Sequence, residues 1–189
     1  MTYIKTGINK PGIIELLFYK GATGKALSNL AQTLLLGPSG LSPGERELIA
    51  AYVSKLNACE FCCNSHTSAM QVHLNGQSKA ALEFLSNNKS TYLSEKLIYL
   101  LKLAEKVQKN GKAVLPTDID AARLSGATDE DIHDTVLIAA AFCMFNRYVD
   151  GLGTEKATEQ EYQEMGLRMA KGYKYPPLFL RRFILRSMK

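Results

Sequence analysis

An all-α domain is the fold this sequence predicts, and three observations carry the prediction. Apolar residues recur at the three-and-four spacing of helices along most of the 189 residues, almost without the alternation that marks half-buried strands. Helix starts are written out as capping residues, and glycines close several of the segments they open. With 46% hydrophobic and 22% charged residues the chain can bury a core, which sets aside disorder, collagen-like repeats and a disulfide-stapled miniprotein. The expectation is seven or eight helices in one domain over residues 1–172, followed by an arm over 173–189.

The elements follow in order. Pro11 to Tyr19 and Lys25 to Leu36 carry apolar residues at helical spacing, with Gly21 and Gly24 expected to break them apart. Ser42-Pro43-Gly44-Glu45 places a capping Ser before Pro at the first helical position and Glu at the third, so a helix should run from about Pro43 to Asn57. A new helix is expected to begin near Cys59. Ser94 caps a segment in which Leu97, Leu100, Leu101, Ala104 and Val107 share one face, and Gly111 stops it. Thr117 opens a short helix ending at Gly126; Thr128 with Asp131 opens a longer one towards Gly151. Thr158 to Ala170 is the last, closed by Gly172, before Tyr175-Pro176-Pro177 forbids helix and Leu178 to Met188 mixes apolar with basic residues.

The net charge of +5 invites a nucleic-acid or membrane-surface reading until it is resolved by position. Lys171, Lys174, Arg181, Arg182, Arg186 and Lys189 fall in the last nineteen residues with no Asp or Glu among them, and the rest of the chain is left at −1. The basicity belongs to the arm, whose expected role is docking on a neighbouring subunit, with Pro176-Pro177 setting its exit angle. No nucleic-acid motif accompanies it. Residues 1–10 lack the apolar core of a secretion signal, and the longest apolar run, Val136 to Phe145, is far shorter than the roughly 20 residues that span a bilayer. A cytoplasmic protein with no membrane partner is the expectation. In a reducing compartment, closely spaced cysteines are more often catalytic, redox-active or metal-binding than structural.

Three of the four cysteines lie in Cys59-Glu60-Phe61-Cys62-Cys63, followed by His66. On a helix Cys59, Cys62 and His66 form one stripe. Positions three apart bring Cα atoms to about 5 Å, inside the usual disulfide span of about 4.4–6.8 Å, so Cys59 with Cys62 is the better pair and Cys63 the poorer one. A thiol reacts as its thiolate, which a helix N-terminus or a neighbouring histidine promotes. These two effects choose different sulfurs: the helix start favours Cys59, while His66, four residues on, favours Cys62 as its base or relay. Glu47, twelve residues before Cys59 and flanked by Leu48 and Ile49, can supply the carboxylate that orients the histidine.

Glu47 with Cys59-x-x-Cys62-x-x-x-His66 resembles the signature of the alkylhydroperoxidase D-like proteins, within the carboxymuconolactone decarboxylase superfamily. Phe145-Asn146-Arg147 in a late helix is similar to the peroxidase-related branch, so the resemblance spans about 40–150. It implies an all-α fold that forms trimers or hexamers, and a thiol peroxidase needing no metal or other cofactor. It also implies that a hydroperoxide oxidises Cys62, that Cys59 closes the disulfide, and that Glu47 and His66 relay protons. A dithiol reductant, of lipoyl type at the level of the family, completes the cycle. Two departures stand out: some members carry a relay histidine where this chain has Phe61, and Cys63 is an addition. The decarboxylase branch does not use this cysteine pair.

Plainer readings stand beside these. Cys143, amid Ala140, Phe142 and Phe145, reads as core; His73 as a partly exposed helix residue rather than a partner of the cluster; His133 as a solvated first-turn residue; Glu45 as a capping-box group. Two alternatives to an enzyme use the same cluster. One is a redox sensor or partner protein that switches through Cys59 and Cys62. The other is a zinc-stabilised binding module, for which only His133 and Cys143 remain as distant ligands.

Overall fold

The computed structural model describes residues 2–89, 92–177 and 180. Every regular element among them is helical: α1 (Ile13–Tyr19), α2 (Gly21–Leu36), α3 (Pro43–Leu56), α4 (Glu60–Leu74), α5 (Lys79–Asn87), α6 (Glu95–Lys109), α7 (Pro116–Leu124), α8 (Asp129–Gly151) and α9 (Glu159–Met169), with one 3₁₀ turn at Gly111–Ala113. The expected arm beyond Pro177 lies outside the described residues, apart from Leu180.

The start signals act as written. Ser42 accepts from the Glu45 N–H while the Glu45 carboxylate accepts from the Ser42 N–H, and the same reciprocal pair opens α8 at Thr128 and Asp131. Thr158 with Glu161 opens α9, and Ser94 caps α6. Each such cap stabilises its helix by about 1 kcal/mol.

Two expectations are corrected. Gly24 does not break a helix: only the extended Lys20 separates α1 from α2, and Gly24 lies inside α2. A Cβ there would stand 1.9 Å from the Leu17 carbonyl oxygen, so glycine lets the two helices meet backbone to backbone. The second is α5, which raises the number of α-helices among the described residues to nine. It is nine residues long and Ser78 makes no capping bond, so no start signal announces it; its burial of Ala81, Phe84 and Leu85 holds it in place.

Helix α3 is the axis of the fold. It packs on α4 and α8 and also touches α2, α5 and α6, so its residues from Arg46 to Ser54 are buried without interruption. Leu48, Ile49, Tyr52 and Val53 meet Leu100, Leu101 and Leu103 of α6 and Ile138 and Phe142 of α8 in the main core. A smaller apolar cluster lies to one side, where α9 covers α4: Cys59, Phe61, Cys62, Val149, Tyr162 and Met165. Gly166 makes that approach possible, since a Cβ there would stand 2.7 Å from the Ser68 backbone.

Candidate active site

Glu47 owes its burial to its helix. On the central α3 no face is left to water, and its carboxylate is fully enclosed. A buried carboxylate must be hydrogen-bonded, and here each oxygen has a donor. His66 Nδ1 is 2.7 Å from Oε2, and the Tyr173 hydroxyl donates to Oε1 at 2.5 Å. With Glu47 as acceptor, Nδ1 carries the hydrogen and His66 Nε2 is left free to take a proton.

The turn between α3 and α4 delivers the cysteines. Ala58 adopts φ +57°, a left-handed conformation that costs a non-glycine residue about 1–2 kcal/mol. A buried polar network holds it there. Asn57 donates to Asn146 Oδ1 at 2.8 Å and accepts from Gln108 at 2.8 Å, and Asn146 donates to Ser54 Oγ at 3.0 Å. The chain reverses, Cys59 N–H donates to the Ser54 carbonyl at 3.0 Å, and Cys59 becomes the residue from which α4 starts.

Cys59, Cys62, His66 and Glu47 are thus brought together, and all four are buried. The two sulfurs have different surroundings. Cys59 is wholly enclosed, and its thiol is held above the usual thiol range by its hydrogen bond with Cys62 and by burial. Cys62 opens onto a cavity of about 380 Å³ that His66 also lines and that Cys59 does not reach.

The carboxymuconolactone decarboxylase family model matches residues 21–106, the stretch that contains all four residues. Among solved structures, the peroxidase-related protein of Silicibacter sp. TM1040 superposes with a TM-score of 0.72 at 27% identity, over 81% of this chain and 78% of that one. The AhpD-core, peroxidase-related protein of Ralstonia eutropha JMP134 gives 0.73 at 28% identity, over 82% and 80%. Over these residues and in its fold, this chain is similar to AhpD-like, peroxidase-related proteins and to the carboxymuconolactone decarboxylase family. An Agrobacterium tumefaciens protein at 23% identity, with a TM-score of 0.66 over 82% of this chain and 100% of that one, shares the fold. No curated protein matches it.

The set of Glu47, Cys59, Cys62 and His66 leaves out Tyr173. Its ring lies nearly parallel to His66, 6.2 Å between centroids at 11°, while Phe142 meets the other side of the imidazole edge-on at 4.6 Å. The phenol is pushed well above its usual range by burial and by the Glu47 charge, so it stays a donor. Gln32 of α2 accepts from the Tyr173 N–H at 2.8 Å, and Tyr175 stacks on Phe18 of α1, which ties residues 173–175 over the cavity. No spacing in the sequence relates Tyr173 to Glu47, 126 residues away. Asn146 had a signal, the Phe145-Asn146-Arg147 stretch; Asn57 and Gln108 had none.

The remaining candidates fall elsewhere. Cys63 is half-buried and does not line the cavity, with its thiol raised by burial. Cys143 packs against the main core and accepts from Asn57 at 3.6 Å. His73 closes α4 away from the cavity, and His133 is exposed beside Asp134 at 3.0 Å. Glu45 serves the capping box. Among the described residues no three His, Cys, Asp or Glu side chains are grouped to hold a metal ion, so the zinc module has no ligand set there. No described helix is long and apolar enough to cross a membrane.

Proposed function

We propose that this protein is a thiol-dependent hydroperoxidase cycling between the Cys59/Cys62 dithiol and disulfide. The observation that carries the reading is the division of labour between the sulfurs: Cys62 faces a cavity together with His66, and Cys59 waits, protonated and enclosed, directly behind it.

His66, oriented by Glu47, takes the Cys62 proton, and the Cys59 thiol donates a hydrogen bond to the thiolate so formed. The thiolate attacks the terminal peroxide oxygen. The O–O bond breaks, Cys62 becomes a sulfenic acid, and the alkoxide leaves as an alcohol with the proton returned by His66. Cys59 then attacks the sulfenic sulfur, the disulfide forms and water leaves. An external dithiol, itself oxidised to a disulfide, restores both thiols by exchange.

The apolar surroundings suit this chemistry. Enclosure keeps the imidazolium–thiolate pair from being screened, and Phe61, in place of a relay histidine, adds a buried aromatic ring to the cavity lining. Single replacements test the assignment. Cys62→Ser should abolish hydroperoxide consumption with dithiothreitol as reductant. With no thiol added, Cys59→Ser should consume one equivalent and hold a sulfenic acid that dimedone traps. Sustained turnover by Cys62→Ser would overturn the proposal.

A further inference from the structure

The cavity beside Cys62 has two chemically distinct ends. Cys62 and His66, 3% and 9% exposed, form the inner one. Most of the remaining lining is aliphatic or aromatic, contributed by α1, α2 and α8 among others, with Leu17, Leu27 and Phe142 in it. Its volume, about 380 Å³, is that of a small-molecule site. At the outer end stand two exposed cations, Arg168 of α9 and Lys174, neither in an ion pair among the described residues. Tyr175 lines the same cavity, and its hydroxyl is buried with no hydrogen-bond partner among the described residues.

Three groups that can donate, two of them charged, therefore line the same largely apolar cavity as the Cys62 thiol. A neutral small hydroperoxide would leave all three unused, and a buried hydroxyl without a partner is a cost that its natural ligand should relieve. A carboxylate meets the requirement: it carries the opposite charge and has acceptor sites for all three donors. We infer that the cavity binds an amphipathic anion, a long-chain carboxylic acid bearing a hydroperoxide on its chain. The carboxylate sits against Arg168, Lys174 and Tyr175, the chain crosses the apolar middle, and the hydroperoxide reaches Cys62. The fate of the hydroperoxide rests on the peroxidase reading above; the binding of the acid does not. In the chemical step the Cys62 sulfur takes the terminal oxygen, the O–O bond breaks, and the product is the corresponding hydroxy acid.

Calorimetric titration of the full-length Cys62→Ser protein with decanoate and with decan-1-ol tests the binding without the chemistry. Decanoate should bind at least about tenfold more tightly, the scale of a charge-assisted contact. Arg168→Gln with Lys174→Gln should remove that preference while decan-1-ol still binds, which also shows that the variant is folded. Tyr175→Phe should weaken decanoate alone. Equal affinities for acid and alcohol, or an acid preference that survives the double variant, would overturn the assignment. The wild-type enzyme separates the two proposals. Selective decanoate binding with no consumption of a fatty-acid hydroperoxide would refute the peroxidase and leave the acid site standing. Consumption of a fatty-acid hydroperoxide and its methyl ester with equal kcat/KM, without selective binding, would do the reverse.

Discussion

The two sides of the cavity are built differently. The inner side, α3, the turn at Asn57 to Cys59 and the start of α4, is fixed by a buried set of hydrogen bonds among Ser54, Asn57, Gln108 and Asn146 and by the Glu47–His66 pair. The outer side, residues 173–175, has no regular structure and is held by one bond to Gln32, one to Glu47 and a ring stacked on Phe18. The first side fixes the reacting groups; the second closes over them and can select what enters. Damage to the inner side should therefore cost rate and stability together, and damage to the cover should change pH response and selectivity.

The largest effect is expected from Glu47→Gln, which keeps the shape but removes the charge that stabilises the His66 imidazolium. A fall of about 10²-fold or more in kcat/KM for a hydroperoxide is the usual scale for disabling an acid–base relay. Steady-state kinetics with a fixed dithiol measure it. Asn146→Ala comes next. It leaves Asn57 and Ser54 short of partners in a buried place, so urea unfolding should show a loss of about 1–3 kcal/mol. Activity should fall with it, because the Ala58 turn is no longer held.

Tyr173→Phe tests the cover. The ring and its stacking remain, the hydroxyl goes, and Glu47 keeps its whole charge for the His66 imidazolium. Glu47 Oε1 is then left without its donor in a fully buried place, so the melting temperature should fall and the pH profile of kcat/KM should shift. An unshifted profile would reduce Tyr173 to packing.

The smallest effect concerns Cys59 at rest. Its folded-state pKa is raised, so the thiol stabilises the fold fully below the ordinary thiol value of about 8.5. Above that pH the unfolded chain releases a proton that the folded chain keeps, and this stability is lost as pH rises towards the folded value. Denaturation between pH 7 and 10 should show a steeper alkaline loss for the reduced wild type than for Cys59→Ala.

The same contrast governs what could be read in advance. The inner side is legible because its parts are close in sequence: Glu47 to His66 spans twenty residues, with capping at Ser42 fixing where α3 begins. Helix periodicity fixed most of the other elements for the same reason, each being a local pattern. What escaped depends on distance or on the lack of a local sign. Tyr173 meets Glu47 across 126 residues, Gln108 meets Asn57 across 51, and α5 starts without a cap. Gly24 was misread because a glycine that ends a helix and one that lets two helices touch look alike until the partner is present.

The most direct measurement is mass-spectrometric thiol mapping after one equivalent of hydroperoxide, with alkylation under denaturing conditions. Of the four cysteines, Cys59 and Cys62 should be lost to alkylation as one disulfide, Cys63 and Cys143 should remain free, and dihydrolipoamide should restore the pair. Four free thiols after exposure, or a disulfide drawn from Cys63 or Cys143, would contradict the assignment of Cys59 and Cys62 as the redox centre.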